Sequence, residues 1–433
     1  AAIKAGNDSD DPEFETNLPL AVRRGLLKEK EINGALRNVL RVGFRLGAFD
    51  PPETSPYSRI GMEVVRSPEH LKLTDQLATE SITLLSNRQR FLPLKRDDIH
   101  SVAVIGPAGG DDYETGNYYG KPTRKTSITT GLHNLLGSAV KVDYESGAGF
   151  MDPRNADAEE RAAALARRSD LVVLCLGTNL RVEAEGRDRR DLNLPGAQEQ
   201  LLEAVYAANP KTVLVLMNAG PLAVGWAHDH LPAILEAWYP GEVGGDAVAR
   251  ALFGTDNPGG RVPYTVYANL DGVPPQNEYD VSKGFTYQYF KGVPLYPFGH
   301  GLSYTRFSYS NLKVTLNAPG PKGEAEVSFD LRNAGDLAGP EVAQLYTHQE
   351  KSLTYQPIKT LRAFQRVSLQ PGETKTLSFR LPIQQLASYD VKLHDFTVEA
   401  GKFDFLVGSS SEDIRLRGTL EVHGTVSRSR GTN

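Results

Sequence analysis

Four short apolar runs, separated by stretches of helical periodicity, constrain this chain more than any other feature. They are Ser101-Val-Ala-Val-Ile-Gly106, Leu171-Val-Val-Leu-Cys-Leu-Gly177, Lys211-Thr-Val-Leu-Val-Leu-Met217 and the run inside Leu231-Pro-Ala-Ile-Leu-Glu-Ala-Trp238. A strand buried on both faces reads as a continuous apolar run, whereas a half-buried strand alternates. Residues 70–79, 157–168 and 196–208 carry the helical spacing. This alternation over residues 63–270 predicts a mostly parallel sheet with helices on both faces, an α/β sandwich. Ligands of such sheets sit at the carboxyl ends of the strands. The loops after Gly106, Gly177, Asn218 and Tyr239 are therefore where function is expected.

The pattern changes on either side. From Phe307 onward, runs such as Glu326-Val-Ser-Phe-Asp-Leu331, Val342-Ala-Gln-Leu-Tyr346 and Thr376-Leu-Ser-Phe-Arg-Leu381 alternate with period two. Turn signals such as Asn333-Ala-Gly335 and Pro371-Gly-Glu373 separate them, which predicts an all-β sandwich of seven strands over 306–433. Residues 271–305, rich in Pro, Gly and Tyr, read as a connector. Residues 1–46 read as helix and loop, with Ile32, Leu36, Val39 and Leu40 on one helical face and Arg37, Arg41 and Arg45 on another. Asp50-Pro-Pro-Glu-Thr-Ser-Pro56 breaks that helix, so 47–62 reads as a linker.

Charge and composition exclude several classes. With 48 Lys and Arg against 53 Asp and Glu, the net charge is −5, so no nucleic-acid partner is expected. No apolar run approaches the roughly 18 residues of a membrane span. The nine His residues show no paired metal-ligand spacing, and Gly106-Pro-Ala-Gly-Gly110 lacks the Gly-Lys-Ser/Thr ending of a phosphate loop. No metal or cofactor is expected. Cys175, the single cysteine, lies inside an apolar run and reads as a small buried hydrophobe. Trp238 ends an apolar run and reads as core, and His300 reads as a structural turn residue. The chain opens Ala1-Ala-Ile-Lys-Ala-Gly6 with no initiator Met, as the middle of a gene product would.

The segment richest in chemistry is Arg181-Val-Glu-Ala-Glu-Gly-Arg-Asp-Arg-Arg-Asp-Leu-Asn-Leu-Pro195, which closely follows a predicted buried strand. A carboxylic acid held at a strand end can protonate a leaving group, and Gly186 permits a turn that aims Glu185 outward. A solvated surface of mixed charge fits the same residues. Spacing alone leaves both readings open.

Glu185-Gly-Arg-Asp-Arg189, followed by Leu192-Asn-Leu-Pro195 and Gln198, resembles the Glu-Gly-x-Asp-Arg…Leu-x-Leu-Pro…Gln pattern of glycoside hydrolase family 3. Collinear blocks extend the resemblance along the chain: Ala5-Gly-Asn-Asp8, Arg41-Val-Gly-Phe-Arg-Leu-Gly-Ala-Phe-Asp50, Ser81-Ile-Thr-Leu-Leu-Ser-Asn87, Gly116-Asn-Tyr-Tyr-Gly-Lys-Pro122, Asn257-Pro-Gly-Gly-Arg-Val-Pro263 and Tyr296-Pro-Phe-Gly-His-Gly-Leu-Ser-Tyr304. The resemblance implies the last helices of a (β/α)8 barrel, then the α/β sandwich, then a fibronectin type III-like domain. It implies a retaining, exo-acting β-glycosidase releasing xylose or glucose from oligosaccharides or aryl glycosides. Glu185 would be the acid/base, with Glu183 as the fallback, and Asp188 and Arg189 would support the motif. Asp8, near the sugar site, and Asn117, Tyr118 and Tyr119 would contact substrate; ordinary loop packing is the other reading of the three loop residues. The nucleophile Asp would lie on a barrel that this chain lacks, so the partner is that barrel, in the same or a second chain, and the chain alone is expected to be inactive. A homodimer through the fibronectin-like domain is a further expectation. So is a periplasmic or secreted location. The rival reading is a non-catalytic carbohydrate-binding or scaffolding module.

Overall fold

The helical periodicity near the N-terminus becomes two helices, α1 (Glu13–Arg23) and α2 (Glu29–Arg45), in a computed structural model that describes residues 1–424 except Asp11, 117–121, Thr123, Pro319, Pro321 and Leu353. The molecule divides into two units, Ala1–Leu73 and Thr74–Asn433. In the first unit Glu31 caps α2 by accepting from the Lys28 N–H at 2.8 Å, and Asn38 on the same helix donates to both carboxylate oxygens of Asp8 at 3.1 Å. The division falls within α3 (Pro68–Ser81).

The second unit opens with β1 (Thr83–Asn87) and then alternates: β2 (Ser101–Ile105), α4 (Ile128–Leu136), β3 (Lys141–Glu145), α5 (Ala156–Arg167), β4 (Leu171–Gly177), α6 (Gln198–Ala208), β5 (Thr212–Met217), α7 (Gly225–His230), β6 (Ala233–Glu236) and α8 (Gly244–Leu252). The sheet order is β1-β6-β5-β4-β2-β3, parallel throughout except for β1, which pairs antiparallel with β6. All seven residues of β4 and all six of β5 are buried, so the sheet is covered on both faces. Two apolar clusters flank it. One joins Val104, Val173 and Val215 to Leu132 of α4 and Val248 of α8; the other joins Leu174 and Leu214 to Leu165 of α5 and Leu202 of α6. Cys175 is fully buried in the first.

The chain passes from β2 out to the edge strand β3 and returns to β4 on the other side of β2. The loops after β2 and β4 therefore diverge from a topological switch point, where open α/β sheets bind ligands. Close backbone approach marks this edge: Gly177 has φ +146°, and a Cβ there would lie 2.0 Å from the Met217 carbonyl oxygen.

A short pair ties the connector back on the residues before it: β7 (Val266–Tyr267) precedes the connector and β8 (Pro294–Tyr296) lies within it. In the connector His300 is half-buried, lies with Nε2 2.9 Å from the Leu85 carbonyl and stacks on Tyr296; desolvation pushes its pKa down. It is a turn residue in structure. The described residues beyond it form β9 (Phe307–Leu316), β10 (Glu324–Asn333), β11 (Gly339–Gln349), β12 (Thr360–Leu369), β13 (Thr374–Pro382), the short pair β14 (Ser388–Asp390) and β15 (Asp395–Thr397), β16 (Gly401–Gly408) and β17 (Ile414–Val422). Sheets β13-β10-β9 and β12-β11-β16-β17 enclose a core that includes Phe329, Phe379, Leu345 and Phe405. Setting aside the β14–β15 pair, these are the seven strands of an antiparallel sandwich.

Candidate active site

The loop after β4 folds back at its tip. Ala184 N–H donates to the Arg187 carbonyl at 3.1 Å and Arg187 N–H to the Ala184 carbonyl at 2.9 Å. Glu185 and Gly186 are the two residues between, and Gly186 takes φ +73°. Negative φ followed by positive φ is the type II turn pattern, which needs glycine in the second place. Glu185 is exposed at this tip.

Glu183, two residues earlier, has a different environment. Its side chain is 13% exposed and that of Arg189 12%. One carboxylate oxygen of Glu183 accepts from Thr178 Oγ1 at 2.5 Å and from the N–H groups of Ala219 and Gly220 at 3.0 and 3.2 Å. The other accepts from Arg189 Nε at 2.7 Å. Burial pushes its pKa up, but the bonds from Thr178 and Gly220, the Arg189 charge and the Ala219 N–H outweigh it and hold the carboxyl below its usual range. Arg189 also donates to the Pro221 carbonyl at 2.6 Å. Glu183 and Arg189 thus fasten the β4 loop to the turn after β5.

Other strand ends complete the setting. Tyr239, just after β6, lies with its hydroxyl 3.0 Å from Thr178 Oγ1, and burial pushes its pKa up to about 12. Glu114, from the loop after β2, accepts the Leu180 N–H at 3.2 Å. Gln198, fully buried at the start of α6, clamps the end of β4: its Oε1 accepts the Gly177 N–H at 2.8 Å, and its Nε2 donates to the carbonyls of Gly177 at 2.8 Å and Phe150 at 3.0 Å. Above this floor opens a cleft of about 700 Å³, lined by Glu183, Glu185, Asp188, Arg189, Tyr239 and Gln276 among others.

Four of the residues singled out in the sequence, Glu183, Glu185, Asp188 and Arg189, share one cleft. Asp8 lies in the other unit, bonded to Asn38. Asn117, Tyr118 and Tyr119 lie outside the described residues. Thr178, the 219–220 turn, Tyr239 and Gln276 were not picked out from the sequence as site residues, although three of the four loops flagged there supply Thr178, the 219–220 turn and Tyr239. Among the described residues, no group of three or more His, Cys, Asp or Glu side chains could hold a metal ion, and no helix is long and apolar enough to cross a membrane.

Residues 82–304 match the glycosyl hydrolase family 3 C-terminal domain, and residues 341–411 the fibronectin type III-like domain. This chain belongs to glycoside hydrolase family 3. A relative from Formosa agariphila named beta-xylosidase is 34% identical over 96% of the chain and 60% of its own length. A thermostable beta-glucosidase B from Acetivibrio thermocellus is 34% identical over 94% of the chain and 54% of its own length. Among solved structures, a β-glucosidase from Erythrobacter marinus superposes with a TM-score of 0.84 at 34% identity, covering 94% of this chain and 57% of that one. A family 3 β-glucosidase from Bifidobacterium adolescentis superposes with a TM-score of 0.85 at 27% identity, covering 98% and 63%. The chain thus spans little more than half the length of these relatives.

Proposed function

We propose that this chain supplies the general acid/base, Glu185, to a retaining exo-β-glycosidase whose nucleophile lies on a barrel outside this chain. The observation that carries the reading is the exposure of Glu185 at the loop tip over the cleft, where the Glu183 side chain is only 13% exposed. Glu183 spends its carboxylate on Thr178, two backbone N–H groups and Arg189. Glu185 stands at the turn that this brace holds out over the cleft.

A retaining hydrolase needs two carboxyls about 5–5.5 Å apart. One attacks the anomeric carbon. The other protonates the departing oxygen and then takes a proton from water as the glycosyl intermediate is hydrolysed. Glu185 is the second group. Its turn can present it to a sugar bound at the carboxyl edge of the sheet, while Asp188 and Arg189 fix the loop behind it. Asp8, Asn117, Tyr118 and Tyr119 are proposed substrate contacts. Relatives are named both beta-xylosidase and beta-glucosidase, and xylose is the sugar we favour, with glucose second. A relative from Salmonella typhimurium is named periplasmic beta-glucosidase, which supports a periplasmic or secreted location.

The test is hydrolysis of aryl β-xylosides and β-glucosides by the protein that joins this chain to its barrel. Glu185→Gln should lower the rate by about 10²–10⁴-fold on substrates with poor leaving groups, and far less on nitrophenyl glycosides, whose departure needs little proton transfer. An equal loss on every leaving group, or no loss, would overturn the assignment. This chain alone should hydrolyse neither series.

A further inference from the structure

We propose that Glu236 is a positioning residue for the loop that carries Glu185, acting through Asn218 and the turn beneath Glu183. The proposal rests on the reading of Glu185 as the acid/base for its functional meaning; the contacts themselves do not depend on it. Glu236 ends β6 and is buried, at 4% exposure. Its Oε1 accepts the Trp238 N–H at 3.0 Å, and its Oε2 accepts from Asn218 Nδ2 at 3.2 Å. Asn218 is itself fully buried and also donates to the Gly220 carbonyl at 2.8 Å. The turn so pinned, Ala219 and Gly220, supplies the two N–H groups that hold Glu183. Glu183 holds Arg189, which closes the loop bearing Glu185. The path runs from β6 through the β5 turn to the β4 loop, across three adjacent strand ends. Trp238 adds a constraint. It takes φ +60°, a strained backbone conformation for a bulky residue that persists only where neighbours over-determine it.

Two carboxyls thus share one hydrogen-bonded floor, one with a cationic partner and one with none among the described residues. The groups facing Glu236 are the Glu183 carboxylate, with Arg189 on its far side, and the Tyr264 and Tyr296 hydroxyls. None is a cation in direct contact with it. Burial, less the bonds from Trp238 and Asn218 and reinforced by Glu183, raises its pKa to about 8. At neutral pH Glu236 is then a neutral acid beneath an ionised one. This supports the geometry: an ionised Glu236 would be a second buried charge with no partner.

A carboxyl raised from 4.5 to about 8 on folding contributes stability that is complete below 4.5 and lost as pH rises to about 8. Opening of β5 and its turn wets Glu236, so hydrogen exchange of residues 212–222 reports it in this chain. After correction for intrinsic exchange, opening should rise by up to about tenfold per pH unit through that window and level off above it. Glu236→Gln, an isostere of the neutral acid, should flatten the profile. Asn218→Ala should raise opening of the turn at every pH, because it cuts the link between Glu236 and the turn while leaving both carboxyls in the chain. A wild-type profile already flat, a Glu236→Gln profile that rises as the wild type does, or unchanged protection in Asn218→Ala would each overturn the proposal. None of these readouts needs hydrolysis. Failure of the acid/base assignment would leave them unchanged, and their failure would leave the leaving-group test unchanged.

Discussion

Glu183 and Arg189 show why one carboxylate of a charged loop can be structural. The pair is largely out of water, and removing one partner of such a pair costs about 3–5 kcal/mol because the other charge stays behind. Arg189→Ala should therefore lower the free energy of unfolding by that order in chemical denaturation. Arg189→Lys should not restore it, since an ammonium cannot span the Glu183 carboxylate and the Pro221 carbonyl as the guanidinium does. Because the folded-state pKa of Glu183 is lowered, its contribution is present above the unfolded value of 4.5 and lost as pH falls below it. That window lies below the one in which Glu236 acts. At this scale the motif residues were legible in the sequence: Glu183, Glu185, Asp188 and Arg189 stand within seven positions. The donors that separate Glu183 from Glu185 were not. Ala219 lies 36 residues from Glu183 and reaches it only because β4 and β5 are neighbours.

The continuous apolar runs β4 and β5 and the core of β6 were readable as strands because central strands of a parallel sheet are buried on both faces. β3 was not, because Lys141-Val-Asp-Tyr-Glu145 is an edge strand with Val142 as its one buried residue. β1 was also missed as a strand, because it carries Thr83 and Ser86 in a buried antiparallel position. The motif glutamine was legible as a letter only; its work is to clamp the end of β4. Gln198→Ala would leave the buried Gly177 N–H without its acceptor, at a cost of about 1–3 kcal/mol. The resulting drop should appear in denaturant midpoints. Exchange in residues 171–177 should rise more than in the β-sandwich.

Across the larger unit, the α/β sandwich and the β-sandwich are joined by a buried ion pair and an exposed hydrogen bond. Arg261 donates to Glu341 on β11 at 2.5 Å, with side-chain exposures of 9% and 7%, and also to the Gly259 and Gly260 carbonyls. Asn257 donates to the Ala338 carbonyl at 2.9 Å. Both residues belong to the Asn257-Pro-Gly-Gly-Arg-Val-Pro263 block, whose place in the chain was legible but whose bridging role needed β11 in position. Arg261→Ala should destabilise by about 3–5 kcal/mol and split one calorimetric transition into two, with the sandwich melting apart from the sheet domain. A single transition at an unchanged midpoint would show that the domains couple elsewhere.

The central claim is the division of labour between Glu185 and Glu183, and chemical rescue tests it most directly. In the barrel-containing protein, Glu185→Ala should trap the glycosyl intermediate formed from a nitrophenyl glycoside. Azide, a nucleophile that needs no general base, should then restore turnover and yield a β-glycosyl azide. Glu183→Ala should lose activity through the loop and gain nothing from azide. Rescue of the Glu183 variant, with none for Glu185, would exchange the two roles and contradict the account.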